Sequence, residues 1–373
     1  MRRFAVATLV PALAVAVGAL APVRTAHARQ DDKPASSFSE MTEAQAKAIE
    51  KGLEFLANRQ QKDGSWGGNA PVATASIAGM AFLAGGHAPG RSKYGENVKR
   101  VIQYLLKRRY TGGRAKGYIN EGAGTQRGAG GSGMHGHGYA VLFLAEAYGM
   151  TGSIQDVDTD TLKEAVSEGI RVIEGSQCAN GGWNYEPNPN FDEGSVTVTQ
   201  VQALRAARNA GIKVDIKTID KAVDYINKST DANGQTRYSL TSGGHTSYAL
   251  TAAGMSVLNF LGLYNNDKVK KGCDSLVRQL PGAGGNNPNM GAWGGWYFYG
   301  NYYATLALYQ TGGDHWKKFF NAMRDDLLRT QGKDGGWHNA ESAQYGPGFG
   351  TGFALQILQI PYRYLPIYQR GGD

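Results

Sequence analysis

The chain has 373 residues, with 39 Lys and Arg against 31 Asp and Glu, for a net charge of +8. No block of five or six like charges occurs, which argues against a nucleic-acid surface. Its two cysteines, Cys178 and Cys273, are too few for a disulfide-stapled scaffold and are expected to be free and mostly buried.

The N-terminus reads as a signal peptide over residues 1–28. Arg2 and Arg3 precede an apolar run from Phe4 to Leu20, and the small-residue triplet Ala26-His27-Ala28 follows. Export to the periplasm or medium is the expectation. A membrane anchor is the alternative reading, against which Pro11 interrupts the run. Arg2-Arg3 also permits twin-arginine export. Cleavage removes Arg2, Arg3 and Arg24 and no acidic residue, lowering the charge to +5. No second long apolar stretch exists, so no span is predicted in the mature chain. Residues 29–41 form a polar leader, expected to be disordered, and 42–373 a single domain.

From Thr42 a two-helix unit recurs six times at roughly fifty-residue intervals. The first helix of each unit, as in AQAKAIEKGLEFLANRQ from Ala44, is amphipathic. Ile49, Leu53 and Leu56 share one stripe, and Lys47, Glu50, Lys51 and Glu54 lie opposite. The second helix, as in TASIAGMAFLAGG or SYALTAAGMSVLNFLG, is apolar on nearly every side and must be covered on every side. Six charged outer helices around six apolar inner helices predict an all-α fold, an (α/α)6 toroid. A closed ring lets the first and last units cover each other, and an open solenoid is the alternative.

A corner motif joins several pairs: QQKDGSW ending at Trp66, QCANGGW ending at Trp183 and QGKDGGW ending at Trp337. A degraded copy surrounds Trp296, and NGQTRY in the fourth unit keeps a glycine and an aromatic. With the preceding helix this resembles the glutamine-tryptophan repeat of squalene-hopene and oxidosqualene cyclases. MHGHGYAVLFLAEAYG, GGWNYEP and YYATLALYQTGGDHW are similar to single-toroid prenyltransferase and squalene oxidase repeat proteins. The resemblance spans about Ala44 to Tyr368 and implies the α/α toroid of terpenoid cyclases and protein prenyltransferases. Gln60, Trp66, Gln177, Trp183, Gln331 and Trp337 are read as structural: glutamine to satisfy helix-end groups, tryptophan as a buried plate.

The chemistry that the resemblance implies is mostly missing. The cyclase acid motif D-x-D-D-T-A is absent. Asp156 to Asp160 precedes an outer helix and reads as its cap. No Asp-x-Cys occurs for a prenyltransferase zinc site, since Cys273 precedes Asp274. At the start of the third inner helix stand Asp192 and Glu193, candidate acids whose alternative role is capping, which would lower their pKa. His135 and His137 precede the second inner helix and His245 the fourth. If inner-helix starts share one rim, these five residues converge there as catalytic candidates. A divalent metal among them is the lesser expectation, and no cofactor is predicted.

Aromatic residues concentrate at the inner helices, from Trp293 to Tyr303 above all. Tyr139, Phe143, Tyr248, Trp296, Tyr302, Tyr303 and Phe353 are candidates to line a central cavity for an isoprenoid or other lipid-like partner. The alternative is a non-catalytic binding or scaffold module recognising a protein or glycan.

Overall fold

A computed structural model describes residues 41–121, 133–151, 158–280 and 296–370. The expected signal peptide and nearly all of the leader lie outside these residues, as do Asp156 and Trp293. The described residues contain helices and four isolated bridges, and no strand. None of these helices is long and apolar enough to cross a membrane.

The outer layer is α1 (Glu43–Arg59), α3 (Gly95–Lys107), α5 (Thr159–Gly175), α7 (Ile216–Ser229), α9 (Asp267–Arg278) and α11 (Gly313–Thr330). Each buries one stripe, as Ile49, Leu53 and Leu56 do on α1, and leaves its charged face in water. The inner layer is α2 (Pro71–Ala84), α4 (Gly133–Thr151), α6 (Gly194–Asn209), α8 (Tyr248–Phe260), α10 (Tyr297–Thr311) and α13 (Pro347–Gln359). These are buried on all sides, α2 from Val72 to Ala84 without a break. A short helix, α12 (Ala340–Tyr345), is inserted in the last corner.

Each inner helix packs on the next, and α13 packs on α2, so the ring closes. At this seam the Gln45 side chain donates to Leu358 O at 2.7 Å, Gln356 to Ile77 O at 3.0 Å and Gln359 to Ala81 O at 2.9 Å. Buried amides thus satisfy carbonyls that a solenoid would leave at open ends.

The corners repeat atom for atom. Gln60, Gln177 and Gln331 each donate through Nε2 to the glycine carbonyl of their own turn, at 3.1, 3.0 and 2.8 Å. The same nitrogen reaches the first turns of the next outer helix, at Asn97 O, Thr218 O and Ala48 O. Trp66, Trp183 and Trp337 donate from Nε1 to Leu56 O, Ile173 O and Leu327 O, ten residues back near the end of the preceding helix. Because Gln331 bonds Ala48, the last corner also fastens the ring. Each turn glycine has positive φ, and at Gly181 an added Cβ would lie 2.0 Å from Lys221 O. The fourth corner corrects the sequence reading: Thr236 takes the tryptophan's place beneath Thr251, and Tyr238 lies two residues beyond it.

The opposite end of the barrel is closed by the C-terminal turns Ile360–Tyr362 and Pro366–Tyr368. Tyr368 is fully buried against α6, and its hydroxyl donates to Gln356 at 3.3 Å. Glu146 on α4 is enclosed here. Burial pushes its pKa up to about 8, against the opposing pull of the Ile367 backbone and Arg205. Cys178 and Cys273 are buried and unpaired.

Gly181→Ala is expected to cost about 3 kcal/mol or more in urea denaturation, combining backbone strain with a collision. Gly211→Ala, at φ 76° with open space around it, should cost only about 1–2 kcal/mol. Similar losses at the two sites would contradict the corner geometry. Glu146 has a folded pKa above its unfolded value of 4.5, so its contribution is fully present below pH 4.5 and lost as pH rises through about 8. Glu146→Gln should therefore remove a stability decline of up to about 5 kcal/mol across that window, read as a flatter profile of melting temperature against pH.

Candidate functional site

All six inner helices begin at the same rim, where the long outer-to-inner corners also lie. There they surround a pocket of about 600 Å³. Ala73 of α2, His135 and Tyr139 of α4, Ser195 of α6, Ala249 and Leu250 of α8, Tyr299 of α10 and Phe349 of α13 all face it. Six helix N-termini give this mouth a positive field. Glutamates offset part of it at alternate helices: Glu193 caps α6, Glu341 accepts from Phe298 N of α10 at 2.9 Å, and Glu121 accepts from Val72 N of α2 at a long 3.3 Å.

The pocket stops one helical turn down. Tyr139, Tyr299 and Phe349 form its floor, and the residues four further along each helix, Phe143, Tyr303 and Phe353, are fully buried below. Tyr302 and Gln202 join this plug: Gln202 Nε2 donates to Tyr302 OH at 2.7 Å, and Tyr303 OH donates to Gln202 Oε1 at 3.2 Å. From Tyr299 downwards the centre is filled by edge contacts of Tyr303 with Tyr299 at 4.8 Å and with Tyr302 at 5.0 Å, and by a tilted contact of Tyr302 with Phe353 at 5.0 Å. The expected central cavity is therefore a rim pocket over a packed core. Of the predicted lining residues, Tyr139 and Trp296 reach it. Phe143, Tyr302, Tyr303 and Phe353 do not, and Tyr248 is spent on Asn301 at 2.9 Å.

The five rim candidates also divide. His135, Glu193 and His245 line the pocket. His137 is fully buried, accepting from Ile119 N at 3.1 Å on Nδ1 and donating from Nε2 to Gly169 O at 3.1 Å, and so pins α4 to α5. Asp192 points behind the wall. Its carboxylate accepts from Asn180 at 2.8 Å, Tyr225 OH at 2.8 Å, Leu240 N at 2.7 Å, Thr241 N at 3.0 Å and the Thr241 hydroxyl. It holds the fourth corner against the third. No group of three or more His, Cys, Asp or Glu with metal-ligand geometry exists among the described residues.

Glu193 is the carboxylate of the pocket wall. It accepts from Ser195 N at 3.0 Å, Val196 N at 2.7 Å and Ser195 Oγ at 2.6 Å. Capping alone would lower its pKa, but burial outweighs these bonds and raises it. From α4, His135 Nε2 meets the same Ser195 Oγ at 3.1 Å. Burial pushes His135 down to about 4, so the imidazole is neutral at pH 7.

The sequence reading missed Tyr185 and Tyr238. Each stands two residues past the corner's tryptophan position, held by Trp183 and by Thr236, and their hydroxyls meet at 3.1 Å. His245 stacks on Tyr238 at 5.9 Å, and Trp296 stacks on Tyr345 at 6.2 Å. The equivalence of those two tyrosines in the repeat was the available signal.

No protein-family model and no curated protein matches the chain. Solved structures do. The type II terpene cyclase MstE from Scytonema, in complex with merosterolic acid A, is 15% identical, with TM-score 0.57 over 86% of this chain and 97% of that one. The GH76A α-1,6-mannanase of a Salegentibacter species is 10% identical, with TM-score 0.58 over 84% and 98%. A reducing-end-xylose releasing exo-oligoxylanase with xylose is 11% identical, with TM-score 0.52 over 90% and 96%. At these identities the likeness is one of fold, and the fold is an all-α toroid.

Asp192 supplies a check on this division of roles. Burial works to raise its pKa, but the bonds from Thr241, Leu240, Asn180 and Tyr225 together lower it. Its stabilisation is therefore present above the unfolded value of 3.8 and is lost as pH falls through the lower folded value. Asp192→Asn should cost about 2–3 kcal/mol at pH 7, and the gap from wild type should narrow on acidification towards pH 3, measured by denaturation at both. An equal gap at the two pH values would remove the charge from the explanation.

Proposed function

We propose that the rim pocket binds a neutral, isoprenoid or other lipid-like molecule, with its polar end against Glu193, Ser195 and His135. The observation that carries this reading is the make-up of the wall. Ala70, Ala73, Ala249, Leu250 and Phe349 give an apolar surface, and Glu193, Ser195 and His135 form a hydrogen-bonded group where α4 meets α6, with Asn69, Gln344, His245 and Ser247 as further polar groups around the rim. Among the described residues neither Lys nor Arg lines it, so a diphosphate head would find no side-chain counter-charge from them. A volume of about 600 Å³ suits a molecule of drug or terpenoid size. The terpene cyclase among the structural neighbours, solved with merosterolic acid A, supports the ligand class by analogy of fold. The proposal includes export, on the strength of Arg2-Arg3, the apolar run and Ala26-His27-Ala28.

A second reading, a glycan-binding pocket, is favoured by the flat rings at the opening. Trp296 is 45% exposed and Tyr185 43%, as in platforms on which sugar faces stack. A mannanase with α-1,6-mannotetraose is among the neighbours. Glycoside cleavage by paired carboxylates is not supported, because Asp192 turns away and Glu193 is the one acidic lining residue among those described.

Trp296 provides the test in a Trp293→Phe background, since the other described tryptophans, Trp66, Trp183, Trp316 and Trp337, are buried. Titration with geranylgeraniol should change the intrinsic fluorescence with a micromolar midpoint, and mannotetraose should not. Trp296→Phe should remove the signal. A response to mannotetraose alone would replace the lipid reading by the glycan one.

A further inference from the structure

Ser195 is the point at which the pocket's polar groups meet. Ser195 is partly buried in the wall, and its hydroxyl lies 2.6 Å from Glu193 Oε2 and 3.1 Å from His135 Nε2, groups carried by two different inner helices. Glu193 is itself held in place: Val196 N donates to Oε2 and Ser195 N to Oε1, at 2.7 and 3.0 Å. The His135 ring packs against Tyr185 at 5.7 Å and edge-on to Tyr299 at 6.4 Å. A hydroxyl, a base within hydrogen-bond reach and backbone groups orienting that base make up an activated nucleophile.

We propose that Ser195 is a nucleophile and that the pocket cleaves a neutral carboxylic ester with a lipid-like half, by acyl transfer to Ser195 and then to water. The proposal rests on the pocket reading above and adds the reaction. Ser195 Oγ bonds to the ester carbonyl carbon while its proton passes to Glu193 Oε2. The tetrahedral species collapses, the C–O bond to the alkoxy group breaks, and Glu193 returns the proton to the departing alcohol. A water then attacks the acyl-Ser195 carbonyl, Glu193 takes its proton and hands it to Oγ, and the carboxylic acid leaves. Ester and water become acid and alcohol, with no redox change.

The surroundings fit these demands. Carboxylates near pKa 4 are poor bases, and the burial that raises Glu193 moves it toward the working range. His135, kept neutral, positions the hydroxyl and adds no charge. The Tyr185 hydroxyl shares a hydrogen bond with Tyr238 at 3.1 Å and also reaches the Ser195 side chain, which places a phenol beside the atom where the new bond would form. Burial first, then the charge of Glu193, raises the Tyr185 phenol far above its ordinary value, so it retains its proton. The apolar wall across from Ser195 would take the long half of the ester.

The experiment uses the full mature protein and an alkyl fluorophosphonate, whose phosphorus accepts Oγ with loss of fluoride. Intact-mass and peptide mapping should show one adduct, at Ser195. Hydrolysis of p-nitrophenyl octanoate should be lost in Ser195→Ala and slowed on the order of 100-fold or more in Glu193→Gln. Glu193→Asp provides a second variant should the glutamine fail to cap α6, and it should retain more activity than Glu193→Gln. No adduct on the wild type, or hydrolysis unchanged in Ser195→Ala, would overturn the nucleophile. The Trp296 titration with geranylgeraniol separates the two failures: a response with no adduct keeps the pocket and rejects the reaction, and no response with no adduct rejects both.

Discussion

A helix with no polar face has to be covered on every side, and everything else in this protein is arranged to satisfy that condition six times. One inner helix shields only part of another, so each needs two inner neighbours and outer helices behind it. In a row, the first and last would lack a neighbour. The ring removes those ends, and its seam is sealed by hydrogen bonds from Gln45, Gln331, Gln356 and Gln359 to main-chain carbonyls across more than 270 residues of sequence. The same closure sets where function can sit. With the centre filled by side chains and the far end shut by Tyr368, the pocket of the described residues lies at the rim where helices start.

The corner motif turns that layout into fixed geometry. Glutamine ties each turn to the following outer helix, tryptophan ties it to the end of the preceding one, and the positive-φ glycine lets the two backbones touch. The corner thus holds three segments with one side chain of each kind. What the corner leaves over becomes the site: the residues after Trp183 and Thr236 run along the mouth, and Glu193 N bonds back to Trp183 O at 2.7 Å. A structural motif with no chemistry of its own therefore aims the residues that face the pocket.

Most of this fold was legible because apolar periodicity is a strong signal and was repeated six times. The site was legible only in outline. Asp192 and Glu193 are adjacent in extended backbone, where successive side chains point to opposite sides, so one carboxylate had to turn away from the mouth. His135 and His137 are two apart on a helix, about 200° around its axis, and the same argument divides them. The aromatics failed for a different reason. Composition shows that rings are abundant but not how deep each lies, and Phe143, Tyr303 and Phe353 are a single turn, about 6 Å, below the rings that form the floor. Tyr185 and Tyr238 were harder to find because the fourth corner has lost its tryptophan, and their shared spacing from Gly181 and Gly234 stands out once Thr236 is placed in that position.

Glu193 shows why a helix start can serve both stability and chemistry. Its two oxygens satisfy the free amides of Ser195 and Val196, as any capping side chain would, and that fixes the carboxylate to within one rotamer. A cap on an outer helix would sit in water with a low pKa and nothing to act on, as Asp158 does on α5, where bonds from Thr161 lower it. On an inner helix the same interaction lies beside an apolar pocket. There, burial reverses the sign of the shift, and Ser195 and His135 occupy the positions that water would otherwise take. The difference between the two caps comes from the layer of the toroid and not from the residue type.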